Sequence, residues 1–309
     1  MKAQEFSYIS DDGKSIHVRR WTPAGKPLAL ILAAHGMAEH GGRYAAFAEA
    51  MTGRGYEVWA PDHRGHGKTA AEGELGWLAE KDGFRRVVDD LHGLAERMRS
   101  DVPGVPLFLL GHSWGSMLSQ GFVGLYGKLL SGCILSSTTA DGGPVAAVGK
   151  LIVALGGRMR GWKTPSPLAD TMSFGAYNKP FKPTRTKFDW LSRDNAEVDA
   201  YVADPFCGFV CTWGYFRDIL SGMSWMSSRD VRNGIPKDLP ILLASGTDDP
   251  LGGTSGGLKR LIDAYKAQGL TSVDVSLYKG GRHELLHETN RAEVTGDIGD
   301  WIARHLPAR

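Results

Sequence analysis

A serine hydroxyl attacks a carbonyl at neutral pH only when a base takes its proton and an acid orients that base. Ser113 is the candidate nucleophile: it stands in Gly111-His112-Ser113-Trp114-Gly115, the G-x-S-x-G spacing. That spacing is a common accident, and its weight comes from its flanks. Leu107 to Leu110 is apolar on both faces and reads as a buried strand, while Ser116 to Tyr126 reads as a helix. A serine on so sharp a strand-to-helix turn has its hydroxyl exposed, and glycines flank it because strand and helix pass too close for Cβ atoms. The helix behind it aims N–H groups at any negative charge that develops there.

The partners must sit at the carboxyl ends of other strands. Thr247-Asp248-Asp249-Pro250 follows the apolar run Pro240 to Ser245 and offers two competing acids, Asp248 and Asp249. Gly280-Gly281-Arg282-His283 follows Val273 to Tyr278, and its glycines let His283 approach the sheet edge; His287 is its competitor, expected at the start of the last helix. His35-Gly36-Met37 follows Leu28 to Ala34, and such a loop supplies oxyanion donors, the backbone N–H groups of Met37 and Trp114. His35 and His40 then stand behind the reacting groups. Asp62-His63-Arg64-Gly65-His66 lacks a helix to align its histidines and reads as a hydrogen-bonded turn, so neither a metal nor a cofactor is expected.

These groups need a scaffold. Phe6 to Ile9 and Ile16 to Trp21 alternate around Asp12-Gly13, a hairpin; Tyr44 to Thr52 and Phe84 to Met98 have helical spacing; Tyr56 to Ala60 and Cys133 to Leu135 read as strands. Strands alternating with helices predict an α/β fold with a doubly wound, mostly parallel sheet. The alternation stops after Ser137 and resumes at Pro240, with a helix over Leu258 to Gln268 and a closing helix over Ala292 to His305. The expected division is a core of residues 1–137 and 239–309, with 138–238 inserted as a mainly helical lid over the sheet edge. Val145, Val148, Leu151, Ile152 and Leu155 form an apolar stripe in that insertion, suited to an acyl chain, to a lipid surface or simply to packing on the core.

The chain has 309 residues, 42% of them hydrophobic, enough for a large core. Its 36 basic and 34 acidic residues leave a net charge of +2, which argues against nucleic acid as a partner. The N-terminal stretch lacks the apolar run of a secretory signal, and three cysteines (Cys133, Cys207, Cys211) read as buried free thiols, so a cytoplasmic setting is expected, with peripheral membrane contact through the lid.

Taken together the motifs resemble the α/β-hydrolase superfamily, in its monoacylglycerol lipase and lysophospholipase-like branch. His35-Gly36-Met37-Ala38-Glu39-His40-Gly41-Gly42-Arg43-Tyr44 resembles that branch's HG-x-x-EH-x-x-RY stretch, Pro61 to Gly67 its D-x-x-GHG turn, Gly111 to Gly115 its elbow and Arg282-His283-Glu284 its RHE segment. Ser245 to Pro250 resembles its SG-x-x-DP turn, in which the acid precedes proline; this selects Asp249. The resemblance implies a cofactor-independent serine ester hydrolase acting on monoacylglycerol, lysophospholipid or a similar acyl ester. Short-chain esterase, aminopeptidase-type amide hydrolase and non-catalytic ligand-binding protein are the rivals. Substrate-pocket candidates are His35, Gly36, His112, Leu151, Leu155, Phe174 and Trp213. Trp114 and Ser116 depart from the branch's pattern, and both are expected to adjoin the acyl pocket. The oligomeric state is left open.

Overall fold

The computed structural model describes residues 3–140, 145–253 and 256–307. Eight strands make one sheet: β1 (Gln4–Ile9), β2 (Ser15–Trp21), β3 (Ala29–Ala34), β4 (Tyr56–Pro61), β5 (Leu107–His112), β6 (Gly132–Ser136), β7 (Ile241–Gly246) and β8 (Val273–Tyr278). Their spatial order is β1-β2-β4-β3-β5-β6-β7-β8, with β1/β2 and β2/β4 antiparallel and every later pair parallel. Strands β3, β5, β6 and β7 are buried throughout, which is why they read as unbroken apolar runs. The parallel register pairs Ala34 with Gly111, Gly111 with Leu135, Leu135 with Leu243 and Ser245 with Leu277, so their carboxyl ends form one level edge.

Helices α1 (Ala45–Gly53), α2 (Gly83–Asp101) and α3 (Trp114–Tyr126) precede β6; α4 (Val145–Arg160), α5 (Pro167–Phe174), α6 (Asn195–Ala203), α7 (Trp213–Met226) and α8 (Arg229–Asn233) lie between β6 and β7; α9 (Gly257–Ala267) and α10 (Arg291–Arg304) follow β7 and β8. Phe47 and Met51 of α1 share one sheet face with Ile298 and Trp301 of α10, while α2, α3 and α9 cover the other. In α2, Phe84, Val87, Val88, Leu91, Leu94 and Met98 recur every three or four residues and are all buried, the stripe that fixes the helix to the sheet. Burying each such side chain contributes about 1.5–3 kcal/mol.

The stretch between β6 and β7, from which the sequence yields a single clear helix, holds five helices among the described residues. Local polar caps start four of them. Ser166 Oγ accepts from Ala169 N, Asp194 Oδ1 from Ala196 N, Thr212 Oγ1 from Tyr215 N and Ser228 Oγ from Val231 N. Helix α7 carries this segment onto the core, where Trp225 lies over Gly121 of α3 and Phe84 of α2 over Gly222. A second anchorage joins Arg193 to Glu288 at 2.8 Å and Arg291 to Asp194 at 2.8 Å.

Candidate active site

At the end of β5 the chain turns into α3 through Ser113, whose φ of 53° and ψ of −118° lie outside the conformations L-residues favour. Holding a non-glycine residue there costs on the order of 1–3 kcal/mol. The surroundings leave no alternative: a Cβ on Gly111 would strike Ser119 Oγ and the Gly115 carbonyl, and one on Gly115 would strike the carbonyls of Ala34 and His35. Ser113 N donates to Ser136 O at 2.9 Å, and Ser116 Oγ donates to Ser113 O at 2.5 Å. Ser116 is therefore fully buried beneath the elbow.

Three side chains that are remote in sequence meet at this edge. His283 Nε2 lies 2.8 Å from Ser113 Oγ, and His283 Nδ1 lies 2.8 Å from Asp249 Oδ1. Asp249 also accepts from Leu251 N at 2.9 Å, whereas Asp248 is exposed and takes a bond from Thr247 Oγ1. Burial alone would lower the His283 pKa, yet the Asp249 charge and hydrogen bond prevail and hold it above its ordinary value. Asp249 is likewise held below the usual carboxylate range: burial opposes ionisation, and the His283 contact overcomes it. His283 with Asp249 thus has the polarity of a base that an acid orients. Ser137 Oγ donates to His283 O at 2.5 Å and steadies the loop.

The loop after β3 lies against the elbow, since a Cβ on Gly36 would come within 3.4 Å of Ser113 Cβ. Gly36 N donates to Glu39 Oε1 at 2.5 Å, and Ala38 adopts a left-handed φ of 52°. Met37, which carries one expected donor, lies between them. Trp114 N–H, the other, belongs to the first turn of α3, whose N–H groups have no intrahelical acceptor. Glu39 Oε2 accepts from Arg43 at 2.9 Å, and the Arg43 guanidinium also makes a bidentate pair with Glu284 at 2.5 and 2.7 Å. Arg43 overrides the effect of burial on Glu284 and holds its carboxyl at about 2. In the sequence this bridge shows only as the i,i+4 spacing of Glu39 and Arg43.

Other expected pocket residues fall elsewhere. His35 is fully buried and braces its own loop: Nδ1 donates to Gly36 O at 2.7 Å and Nε2 accepts from His63 N at 2.9 Å. His112 is buried with its ring 5.0 Å from that of His283, and burial followed by the neighbouring His283 charge lowers it to about 3. Trp213 is buried at the start of α7 with its ring over Gly156 of α4, so it packs helices together rather than lining a cavity. Trp114 is buried and stacks on His66 at 5.3 Å, so neither Trp114 nor Ser116 faces open space. Phe174 does approach the site, stacked at 5.8 Å on Trp190, whose own ring is 4.9 Å from His283. Leu151 and Leu155 are 62% and 51% exposed, on the outer face of α4 with Val148 and Met159. Only Ile152 of the expected stripe turns toward the core; the side chain of Val145 lies outside the described residues.

His287 sits in a 3-10 turn ahead of α10, not at its start, and its Nδ1 meets Glu197 Oε2 at 3.0 Å. Cys207 is half-buried rather than buried, close enough to His40 and Asp204 for their ligand atoms to lie within 4.8 Å of one another. There, His40 Nδ1 accepts from Gly42 N at 3.1 Å, which leaves Nε2 to donate to Asp204 at 2.9 Å. A ring used in this way has no free lone pair for an ion. Asp62, buried, accepts from Arg19, Gly41 N and Lys68 N, so the turn it begins is held by hydrogen bonds.

A mostly parallel sheet with a serine at a strained elbow defines an α/β hydrolase of the serine esterase and lipase class. The chain belongs to the Hydrolase_4 family (serine aminopeptidase, S33), whose model matches residues 25–290. It is 30% identical to human monoglyceride lipase across 96% of this chain and 89% of that one. It is 28% identical to a monoacylglycerol lipase of Mycolicibacterium smegmatis, across 98% of each. In structure it resembles a thermostable carboxyl esterase from Bacillus coagulans, solved in complex with glycerol. The TM-score is 0.89 and the identity 27%, over 99% of this chain and all of that one. Among the described residues no helix is long and apolar enough to cross a membrane.

Proposed function

We propose that the protein hydrolyses carboxylic esters of medium- or long-chain acyl groups, such as monoacylglycerols or lysophospholipids, through an acyl-enzyme. The observation that carries this reading is the continuous chain from Ser113 Oγ through His283 to Asp249, both links at 2.8 Å. Ser113 attacks the ester carbonyl while His283 takes its proton, and Asp249 fixes the imidazole tautomer and stabilises the imidazolium. The N–H groups of Met37 and Trp114 hold the oxyanion, each contributing about 3 kcal/mol to the transition state. His283 then protonates the leaving alcohol, and a water activated by the same imidazole releases the acid.

The acyl preference rests on relatives that are named as monoglyceride and monoacylglycerol lipases, and on the outward apolar row of α4. In this reading residues 138–238 act as a lid whose row meets acyl chains or a lipid surface, and three free cysteines support a reducing, cytoplasmic setting. Aminopeptidase chemistry requires a free carboxylate to hold an amine. Of the acids in the insertion, Asp189, Asp194, Glu197 and Asp199 are occupied by Thr186, Arg291, His287 and Arg185 respectively, which leaves Asp170, in the first turn of α5 with its pKa raised by burial, as the acid this rival would need. Ser113→Ala is expected to abolish both fluorophosphonate labelling and hydrolysis of p-nitrophenyl esters, monoacylglycerols and lysophospholipids. Turnover above that of a His283→Ala control would refute the assignment.

A further inference from the structure

The peptide that presents Met37 N–H is held at its own carbonyl, Gly36 O, by His35 Nδ1 at 2.7 Å, and the turn is tethered further on both sides by different parts of the chain. Ahead of it, Gly36 N–H is held by Glu39, a core residue. Behind it, the Ala38 carbonyl accepts two hydrogen bonds at 2.9 Å, from Tyr201 Oη on α6 and from Gly208 N just beyond that helix. Tyr201 is itself buried with its ring under the Arg43 guanidinium, 4.9 Å away. Ala38 has a left-handed φ of 52°, a conformation an alanine leaves unless something holds it. The segment that holds it belongs to the insertion between β6 and β7, not to the sheet.

We propose that Tyr201 is a positioning residue for the oxyanion donor at Met37, so that the seating of the insertion on the core sets how well the transition state is stabilised. This rests on Met37 N–H being an oxyanion donor, as proposed above. Tyr201 does not touch the reacting atoms; it keeps the Ala38 peptide in the left-handed turn that aims its neighbour's N–H inward. Displacing α6 by a rotamer change or by contact with a surface releases one lone pair of the Ala38 carbonyl, and the loop relaxes toward negative φ. The elbow does not depend on this tether, because Ser113 N is bonded to Ser136 O of β6.

The test uses the full chain carrying Tyr201→Phe, assayed on a soluble p-nitrophenyl ester. Two inhibitors of equal chain length are compared: a trifluoromethyl ketone, which adds the Ser113 hydroxyl and forms an oxyanion, and an ether, which cannot. Loss of one neutral hydrogen bond is expected to lower kcat about fivefold and to weaken the ketone by the same factor, with KM and ether affinity within about twofold. The same substitution in an Ala38→Gly background is expected to cost less than about twofold, because glycine holds positive φ without the tether. Three results overturn the proposal: kcat within twofold of the parent, equal weakening of ketone and ether, or the same loss in both backgrounds. A wild-type enzyme that binds the ketone no better than the ether overturns the esterase reading itself, and this proposal with it.

Discussion

Arg43 offers a test that can be worked through from charge and burial. Its side chain is 9% exposed and stands between Glu39 and Glu284, whose side chains are 3% and 5% exposed. Arg43→Met removes the cation and strands two carboxylates out of water, a change that costs about 3–5 kcal/mol when one partner of a buried pair is deleted. With an unfolding entropy of about 2.1 cal/mol/K per residue over 309 residues, that loss lowers Tm by about 5–8 °C. The pH dependence gives a second signature. In the wild type, Glu284 titrates at about 2, because Arg43 outweighs burial; it therefore stabilises the fold above its unfolded value near 4.3, and that contribution fades as pH falls toward 2. In the variant, burial loses its main opponent and Glu284 takes up its proton at a higher pH, which relieves the stranded charge. The Tm gap is thus widest at pH 7–8 and narrows toward pH 4. Glu39 and Glu284 also raise the His283 pKa, so the uncompensated pair moves the acid limb of kcat/KM upward. Calorimetry from pH 8 to 4 reads the first effect and initial rates the second. A gap under about 2 °C at pH 7.5, or one unchanged at pH 4.5, refutes the argument.

Four further outcomes follow from the structure. Since His283 must be neutral to act as base and sits above its ordinary 6.5, wild-type kcat/KM should fall as pH drops through a limb above that value. Asp249→Asn should shift the limb downward and cost about 10⁴ in kcat, read from a pH–rate profile. Gly115→Ala drives a Cβ into the Ala34 and His35 carbonyls and should cost about 1–3 kcal/mol by denaturant titration, with loss of activity, because strand and helix cannot separate. Leu151→Asp with Leu155→Asp replaces exposed side chains, so Tm should stay within about 1 °C while hydrolysis of emulsified long-chain esters falls relative to a soluble short-chain ester.

The parts of the molecule legible in the sequence are those whose physics is local or periodic. Buried strands announce themselves as apolar runs, and α2 as a stripe of period 3.6. The meeting of Ser113, Asp249 and His283 was readable because each follows a strand and parallel strands end at one edge. The choice between Asp248 and Asp249 was not readable from position alone; the Asp-Pro resemblance settled it. The bridge from Glu39 through Arg43 to Glu284, and the hold of Tyr201 on Ala38, join residues far apart with no repeating signal. For Leu151 and Leu155 the apolar pattern left open what covers the stripe, and the structure leaves both side chains exposed rather than packed on the core. Trp213 failed for the complementary reason: an aromatic ring fills a pocket or a helix contact equally well, and Gly156 decides which.

The spatial order of the strands has a consequence during synthesis. From β5 onward the sheet is laid down in the order in which the polypeptide is made: β5, β6, β7, β8. Strand β6, buried along its whole length in the finished molecule, must then wait with a bare edge while residues 137–240 are translated before β7 arrives to cover it. An uncovered apolar edge is a template for wrong pairing. Substitutions in α4 to α8 that slow their compaction therefore act on the yield of folded enzyme as it leaves the ribosome, whatever their effect on the mature catalyst.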